Sequence, residues 1–290
     1  MSEEPQQARI SNDRYLSEVI PRLHEVLREI LKEFDRVCRE LGLTYWVEAG
    51  ALIGLMRNGG MIPWDDDVDV SMEISDWREF CAAAPEILHH NYQLVTWETV
   101  PGFSPLWVCL GKRGTRFIDA DHKDAVCDQP IFIDIFPFIP QEKDPKRAKK
   151  QAFRLRFWQA VSYARAIRSP HNITGIKRLP YALLRVYASG IEQHEIAKRF
   201  WKAAEVHDPS DLLIDAAYAD WPPTPRDVIF PVKRALLDGV EVNIPHDPER
   251  YLDIEYGSWR KVPKEEDRYT HAPLILDVGD GKNMLAPDDA

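Results

Sequence analysis

The feature that most constrains this chain is an acidic run after Pro63, WDDDVDV, which occupies residues 64–70. Successive side chains of an extended strand point to opposite faces, so Asp65, Asp67 and Asp69 are predicted to share one face. Apolar residues flank the run on both sides, which favours a partly buried strand within Met61–Met72 over a solvated loop. Three like charges on one face repel one another, and a fold tolerates them where a cation or a basic partner neutralises them.

Oxygen ligands at this density suit Mg²⁺ or Mn²⁺ better than zinc. Two such ions can clamp a phosphoryl group during transfer. An EF-hand loop beginning at Asp65 would need Gly and Glu where the chain has Val70 and Asp76. The run also matches DDxxD, the diphosphate-binding motif of prenyl synthases, but that motif lies on a helix and no second copy is present. The pattern therefore favours a metal-dependent phosphoryl-transfer site.

A third carboxylate is expected from a neighbouring strand. Asp134 lies in IFIDIF, residues 131–136, where one charge stands among five large apolar residues. Such a charge is costly unless something compensates it, and a metal ion would do so. An aspartate hydrogen-bonded at a strand end is the other interpretation of Asp134, and Asp119 is the alternative candidate ligand.

Helical and strand patterns interleave in the first half of the chain, which indicates an α/β core. Apolar spacing predicts a long amphipathic helix over Asn12–Leu41, ended by Gly42, and another over Ser75–Leu88, capped by Ser75. A short helix is predicted at Ala49–Met56. Short aromatic and β-branched segments predict strands at Leu43–Glu48, Tyr92–Thr99, Leu106–Lys112, Arg116–Ala120 and Pro130–Ile139.

Three regions are predicted: a catalytic core over residues 1–142, a basic helical insertion over residues 143–206, and a C-terminal segment over residues 207–290 that packs back on the core. The tail is Pro-rich and reads as irregular, with one strand near Val240–Ile244 and one helix near Pro248–Tyr256. Residues 143–200 hold 14 Lys or Arg against 3 Asp or Glu. This excess predicts contact with an anionic membrane or a lipid-linked glycan acceptor, and a helical cap with solvated charges is the open alternative.

Composition excludes several functional classes of protein. The net charge of −10 over 290 residues argues against a nucleic-acid-binding protein, because such domains usually carry a basic excess. The four cysteines, Cys38, Cys81, Cys109 and Cys127, form no CxxC pair and no zinc spacing, which predicts free thiols in a reducing compartment. The N-terminus is polar and no apolar run has the length of a membrane span, so we expect a cytoplasmic protein.

Residues 45–72, YWVEAGALIGLMRNGGMIPWDDDVDVSM, resemble the signature of the LicD family, which includes the fukutin-related proteins. The block IDIFP, residues 133–137, is similar to the second motif of that family. The resemblance spans most of the chain outside the basic helical insertion. Further matches occur at Phe230-Pro231, Tyr251, Tyr256-Gly257, Arg268 and His271.

The resemblance implies a nucleotidyltransferase-like mixed sheet with flanking helices and a helical insertion. It also implies transfer of a substituted phosphate, usually phosphocholine from CDP-choline to a cell-surface glycan precursor such as lipopolysaccharide. Relatives move ribitol phosphate or sugar phosphate instead. By motif, Asp67 and Asp69 would be the metal-binding pair, Asp134 the third ligand, and Asp65 an auxiliary substrate-binding residue.

The resemblance further suggests substrate contacts at Gly50, Ala51, Arg57, Arg268 and His271. Ala51 lacks the hydroxyl that such enzymes often place there, so a phosphate contact would come from backbone N–H groups at the helix start. Arg57 is a candidate phosphate clamp, with a surface arginine beside a turn as the alternative. His271 stands alone where the family often has two histidines, which favours a structural role over a catalytic one.

Two other functions remain open from sequence. The same carboxylates could transfer a nucleoside monophosphate to a small acceptor. A catalytically inactive member of the fold could instead serve as a binding module, although the intact D-x-D pattern and Asp134 argue against this interpretation.

Overall fold

The computed structural model describes residues 12–122, 129–168, 170, 173–265, 268, 270, 271 and 273–286. Cys127 and the first 11 residues, on which two of the sequence expectations depend, lie outside them. The helices of the described residues are α1 Asn12–Arg14, α2 Ile20–Leu41, α3 Ala49–Asn58, α4 Ile74–Ile87, α5 Pro145–Ala166, α6 Arg178–Ser189, α7 Gln193–Ala204, α8 Arg226–Ile229 and α9 Pro248–Glu255.

A mixed sheet forms the centre of the molecule, in the order β1-β2-β6-β4-β3, with β7 paired to β6 and β8 to β7. Strands β2 and β6 run parallel, and the other pairs in this sheet are antiparallel. This architecture confirms the predicted α/β class with flanking helices. The strands of the sheet are β1 Trp46–Val47, β2 Asp69–Glu73, β3 Tyr92–Val95, β4 Val108–Lys112, β6 Ile131–Glu142, β7 Pro209–Asp215 and β8 Thr224–Pro225.

Helix α2 is the main support of the sheet. Together with α1 and a π-helical turn at Tyr15–Val19 it forms the long predicted helix, and Gly42 ends it at a positive φ of 69° that a side chain would strain. Its apolar stripe, which includes Leu27, Ile30 and Phe34, is fully buried. Each such side chain stabilises the fold by about 1.5–3 kcal/mol through removal of apolar surface from water.

Two local predictions are corrected by the structure. The acidic segment is regular strand only from Asp69 onward, because residues 65–68 follow the turn after Pro63 and lack a continuous pairing partner. Helix α4 begins at Ile74 after Glu73, and Ser75 does not cap it, because its hydroxyl donates to Asp76 instead. The sheet faces predicted from alternation are unaffected by either change.

The C-terminal region is more regular than its composition suggested. Strand β7 extends the central sheet along the second half of β6. Strands β9 Lys233–Leu237 and β10 Val240–Ile244 form a hairpin over Asp238-Gly239, both at positive φ, while β11 Ile275–Asp277 pairs with β5 Arg116–Ile118. Only β10 and α9 were predicted there. The partners of β7 and β11 lie far away in sequence, whereas β9 pairs with the adjacent β10.

The basic stretch is helical, as the apolar spacing predicted. Helices α5, α6 and α7 enclose a second apolar cluster that includes Leu155, Ile196 and Phe200. This cluster packs against Ile214 of β7, so the helices adjoin the sheet through the C-terminal region.

Candidate active site

The parallel pairing of β2 with β6 places Asp69 directly beside Asp134. The two residues are register partners, and the Asp134 N–H donates to the Val68 carbonyl at 3.1 Å. Side chains in register on neighbouring strands project from the same face of a sheet. The opposite face carries Val70, Ile133 and Ile135, all fully buried, so the two carboxylates occupy the polar side of a sheet whose other side is core.

The predicted alternation of buried and partly exposed side chains holds from Asp65 to Asp69, where β2 begins. Asp66 and Val68 are buried at 2% and 1% exposure, whereas Asp65, Asp67 and Asp69 are partly exposed. The carboxylates of Asp65, Asp67 and Asp69 therefore lie on the open side, as expected from the residue pattern.

These carboxylates share a negative field that His271 and Arg57 compensate only in part. Burial, with the charges of Asp67 and Asp66, raises the pKa of Asp65 to about 8. Burial and the charge of Asp66 raise the pKa of Asp67 to about 6, although His271 opposes the shift. Burial, then the charges of Asp67 and Asp134, hold the pKa of Asp69 well above its usual range. A bound cation would remove this repulsion.

Asp134 is held by two donors that sequence analysis did not identify. The indole Nε1 of Trp107 donates to its Oδ1 at 2.6 Å, and the Cys109 thiol donates to the same oxygen at 2.9 Å. Cys109 is the register partner of Asp134 on β4, which explains the contact. Burial raises the pKa of Asp134 against these two hydrogen bonds. Its second oxygen, Oδ2, is the atom that these two donors leave for a ligand.

The donor chemistry of Asp67, Asp69 and Asp134 fits a hard divalent cation. All three supply carboxylate oxygens, which Mg²⁺ and Mn²⁺ prefer. In the part of the chain that the structure describes, no three His, Cys, Asp or Glu side chains are already arranged as a metal site.

Asp66 and His271 form a contact that the sequence pattern could not pair. The Asp66 carboxylate accepts from the Tyr15 hydroxyl, the His271 N–H and His271 Nδ1, each at 3.0 Å. His271 Nδ1 also lies 3.4 Å from Asp67 Oδ2. Burial alone would lower the pKa of His271, but the hydrogen bond to Asp66 and the charge of Asp67 raise it to about 9. The histidine thus brings a positive charge to the edge of the acidic cluster.

Arg57 and Arg268 both lie close to the indole ring of Trp64, at the start of the acidic run. Their guanidinium carbons are 5.7 Å and 4.1 Å from the indole centroid. Arg57 Nε and Nη2 and Arg268 Nε are buried and have no hydrogen-bond partner among the described residues. Unpaired guanidinium donors beside a polar site suit a bidentate anion such as a phosphate.

Gly50 is needed for close packing at the start of α3. A Cβ added to Gly50 would lie 2.0 Å from Asp65 Oδ2, so the Asp65 carboxylate rests against the helix N-terminus. That position favours a negative charge through the helix dipole. Ala51 is buried in the first turn of α3. In this structure the Asp65 side chain lies at the helix start, where the sequence suggested a phosphate contact.

Glu48 is a further buried acid that the sequence reasoning missed. Its N–H donates to the Asp69 carbonyl, and its Oε2 accepts from the Tyr251 hydroxyl at 2.7 Å. Burial raises the pKa of Glu48 to about 7, and the charge of Glu255 adds to the shift. No local signal marks this residue, because Tyr251 reaches it from the far end of the chain.

Glu255 provides a test of this buried acidic environment. Burial raises its pKa from 4.5 to about 7, against a hydrogen bond from Thr224. The stability that this shift contributes is complete below pH 4.5 and is lost as the pH rises through about 7. We expect Glu255→Gln, which keeps an acceptor for Thr224, to stabilise the protein by about 2–3 kcal/mol at pH 8 and by little at pH 4.5. Urea unfolding of both proteins at the two pH values measures the difference, and an equal difference at both would contradict it.

Sequence comparison relates this chain to known proteins. Residues 42–171 match the family model described as LicD/FKTN/FKRP, nucleotidyltransferase domain. That range contains Asp67, Asp69 and Asp134. The lipopolysaccharide cholinephosphotransferase LicD of Haemophilus influenzae is 24% identical over 257 residues, which cover 85% of this chain and 93% of LicD.

Two further relatives match over shorter segments. Human ribitol 5-phosphate transferase FKRP is 42% identical over 50 residues, 17% of this chain and 10% of FKRP. Mouse ribitol-5-phosphate transferase FKTN is 31% identical over 51 residues, 18% of this chain and 11% of FKTN. Residues 42–171 of this chain therefore match the LicD/FKTN/FKRP nucleotidyltransferase domain, and the chain is homologous to the Haemophilus cholinephosphotransferase and the two ribitol-phosphate transferases.

Proposed function

We propose that the protein transfers a substituted phosphate of the phosphocholine type from a CDP-linked donor to a hydroxyl of a cell-surface glycan precursor, with Mg²⁺ or Mn²⁺. The observation that carries the proposal is the register pairing of Asp69 with Asp134. Asp67 lies two residues before Asp69 in the same acidic run. The names of the relatives, a cholinephosphotransferase and two ribitol-phosphate transferases, support transfer of a phosphate-containing group.

In this reaction the acceptor hydroxyl attacks the phosphorus of the transferred group. A new bond forms between the acceptor oxygen and phosphorus, the bond to the bridging oxygen breaks, and a nucleoside monophosphate leaves. The hydroxyl proton passes to a carboxylate, for which we assign Asp134, which Trp107 and Cys109 hold in place through Oδ1. When bound through Asp67, Asp69 and Asp134, the divalent cation supplies charge neutralisation at the phosphoryl oxygens.

The basic residues around the carboxylates position the donor. Arg57 and Arg268 offer their unpaired guanidinium donors to the phosphate that leaves with the nucleoside. His271, held by Asp66, keeps a positive charge beside Asp67 at neutral pH. The positive charges of these three residues thus offset the negative charge of the donor phosphates, which would otherwise lie next to aspartates alone.

Ligand-dependent stability tests the donor and metal together. A thermal-shift series would compare CDP-choline, other CDP-linked donors and GDP-linked donors, each with and without Mg²⁺. A ligand at a hundredfold excess over its dissociation constant stabilises the protein by about 2.7 kcal/mol. We expect a clear shift only for CDP-linked donors with metal. The absence of any metal binding in a titration would favour the inactive binding module.

A product assay separates the two enzymatic alternatives. With a donor radiolabelled in the transferred group, phosphotransfer puts the label on the acceptor and releases unlabelled nucleoside monophosphate. Transfer of a nucleoside monophosphate would place the nucleotide on the acceptor instead, and that result would overturn the proposal.

The acceptor side of the proposal involves the basic helical region. Helix α6 and the turn before it present an exposed apolar stripe of Ile176, Leu179, Leu183 and Val186, each between 65% and 92% exposed. Tyr187 continues this stripe and contacts Phe157 of α5 at 6.1 Å between centroids. An amphipathic helix with such a stripe and nearby basic residues suits the interface of an anionic bilayer, which supports peripheral docking at the cytoplasmic face. None of the helices described has the length and apolar character to cross a membrane.

Liposome co-sedimentation tests this docking. We expect binding to vesicles with anionic lipid, weaker binding at high salt, and none to neutral vesicles, because each Lys or Arg near an anionic leaflet contributes about 1 kcal/mol. Changing Lys146, Arg147, Lys149 and Lys150 to Gln should weaken binding, as should Leu179→Gln with Leu183→Gln. Leu236→Gln is the matched control, since Leu236 is 59% exposed on β9, outside this region. A wild-type protein that stays in the supernatant with anionic vesicles at low salt would disprove membrane docking.

A further inference from the structure

A continuous wall of aromatic rings borders the acidic site. This aromatic wall consists of Trp107, Phe136, Tyr218, Trp221 and Tyr256. The ring centroids are 5.2 Å apart for Trp107 and Phe136, 5.8 Å for Trp107 and Tyr218, 5.9 Å for Tyr218 and Trp221, and 5.2 Å for Trp221 and Tyr256. The rings come from four separate parts of the chain, so only the fold brings them together.

The middle of the aromatic wall is open to solvent. Tyr218 is 42% exposed and Trp221 is 41% exposed, although Phe136 beneath them is buried. Aromatic side chains of this size usually bury most of their surface, and an exposed group of them marks a binding surface. In contrast to the stripe on α6, this surface lies beside the candidate catalytic residues.

Direct contact joins the aromatic wall to the carboxylates. Trp107 Nε1 donates to Asp134 Oδ1 at 2.6 Å, and the Trp107 ring contacts the Tyr218 ring. Burial, then the charges of Asp134 and Asp69, raise the pKa of the Tyr218 hydroxyl. The ring faces of the wall thus lie in the negative field of the acidic cluster.

This combination selects one class of ligand. The face of an aromatic ring attracts a cation, and quaternary ammonium groups are bound on such faces because they are weakly hydrated. The nearby carboxylates add to that attraction. A polyol is neutral and gains nothing from the field, and a neutral nucleobase would gain stacking but no charge interaction.

We propose that the aromatic wall holds a quaternary ammonium head on the transferred phosphate, and that Tyr218 and Trp221 select this head over a neutral polyol. The inference rests on the proposed function, because it places the cation next to the phosphate bound by the aspartates. It adds the residues that decide which substituted phosphate is accepted.

The test measures binding of choline to the metal-free full-length chain by tryptophan fluorescence, since Trp107 and Trp221 belong to the wall. The comparison ligand is the neutral isostere of choline, in which a tert-butyl group replaces the trimethylammonium group. We expect choline to bind at least about fivefold more tightly than the isostere. Equal affinity for the two compounds would overturn the proposal.

Matched variants locate the binding surface. Tyr218→Ala and Trp221→Ala should each remove most of the preference for choline, whereas Tyr218→Phe should keep it because the ring remains. Phe153→Ala is the control, since Phe153 is a 69% exposed aromatic residue on α5, outside the wall. If the alanine variants lose affinity for CMP and keep the choline preference, the wall stacks the nucleobase and the proposal is wrong.

The choline-binding test and the phosphocholine-transfer assay can fail independently of each other. A protein that prefers choline but transfers no label from CDP-choline would retain the aromatic site and lose the proposed function. A protein that transfers phosphocholine but binds choline and its isostere equally would retain the proposed function and lose this inference.

Discussion

Asp69→Asn is expected to reduce transfer activity more than about a hundredfold while the fold remains intact. A metal ion contributes several kcal/mol of charge stabilisation in phosphoryl transfer, and each 1.36 kcal/mol corresponds to about a tenfold change in rate. Asp69 lies beside Asp134 in register, so its loss removes a ligand from the centre of the proposed site. Asp67→Asn should have the same effect, and product formation from labelled donor measures both. A variant that keeps more than about a tenth of wild-type activity would contradict the metal assignment.

The stability of the same variants gives an independent readout. Burial, then the charges of Asp67 and Asp134, hold the pKa of Asp69 well above its usual range, so the metal-free fold disfavours a charge on this side chain. We therefore expect Asp69→Asn to keep or raise the metal-free melting temperature. Added Mg²⁺ should raise the melting temperature of the wild type and leave that of the variant unchanged.

Asp66 provides the matched contrast, because it neighbours Asp67 and lies on the opposite, buried side. Asp66→Asn should lower stability by about 1–3 kcal/mol, since the Asp66 charge holds the buried Tyr15 hydroxyl and the ring of His271. A stabilising effect of Asp66→Asn would mean that the two sides of the acidic run have been assigned the wrong way round.

Asp134→Asn is expected to abolish activity to a similar degree, whereas Asp119→Asn should leave it within about twofold. The amide oxygen of the substituted side chain can still accept from Trp107 and Cys109, so the strand should keep its packing while the carboxylate charge is lost. Asp119 lies at the end of β5, outside the central sheet, where its Oδ1 accepts from the N–H groups of Asp121 and His122. Activity assays on both variants, with melting temperatures, compare the two candidates for the third ligand.

Asp119→Asn has its own expected signature in stability. Although burial opposes it, the hydrogen bonds from His122 lower the pKa of Asp119. A lowered pKa contributes stability that is present above the unfolded value and is lost as the pH falls through the folded value. The variant should therefore be less stable at neutral pH and equally active. Loss of activity in Asp119→Asn with activity retained in Asp134→Asn would move the third ligand to Asp119.

Several features of the fold could be read from the sequence because they are local. The 3.6-residue spacing of apolar side chains specified α2, and the two-residue alternation assigned Asp65, Asp67 and Asp69 to one face. The apolar run around Asp134 predicted a buried strand whose charge needs compensation. Such patterns record which side of an element faces water, and this information is present in each segment alone.

The first residue of β2 and most strands of the C-terminal region could not be predicted from the sequence. A strand becomes regular where a partner supplies hydrogen bonds, and β2 gains its partners β1 and β6 only from Asp69 onward. Strand β7 begins at Pro209 in the tail that was read as irregular, yet it pairs with β6. Periodicity carries no information about which distant segment will provide the hydrogen bonds.

The residue pattern alone established the α/β class and the acidic face, and it supplied the candidates for a cation site. Only the tertiary structure decided that Asp134 lies beside Asp69, that Trp107 and Cys109 hold Asp134, and that His271 reaches Asp66. Only it assembled the aromatic wall. The physical reason is that backbone hydrogen bonds are chemically alike at every strand, so the choice of neighbour depends on the packing of the whole core, to which residues far apart in the chain contribute together.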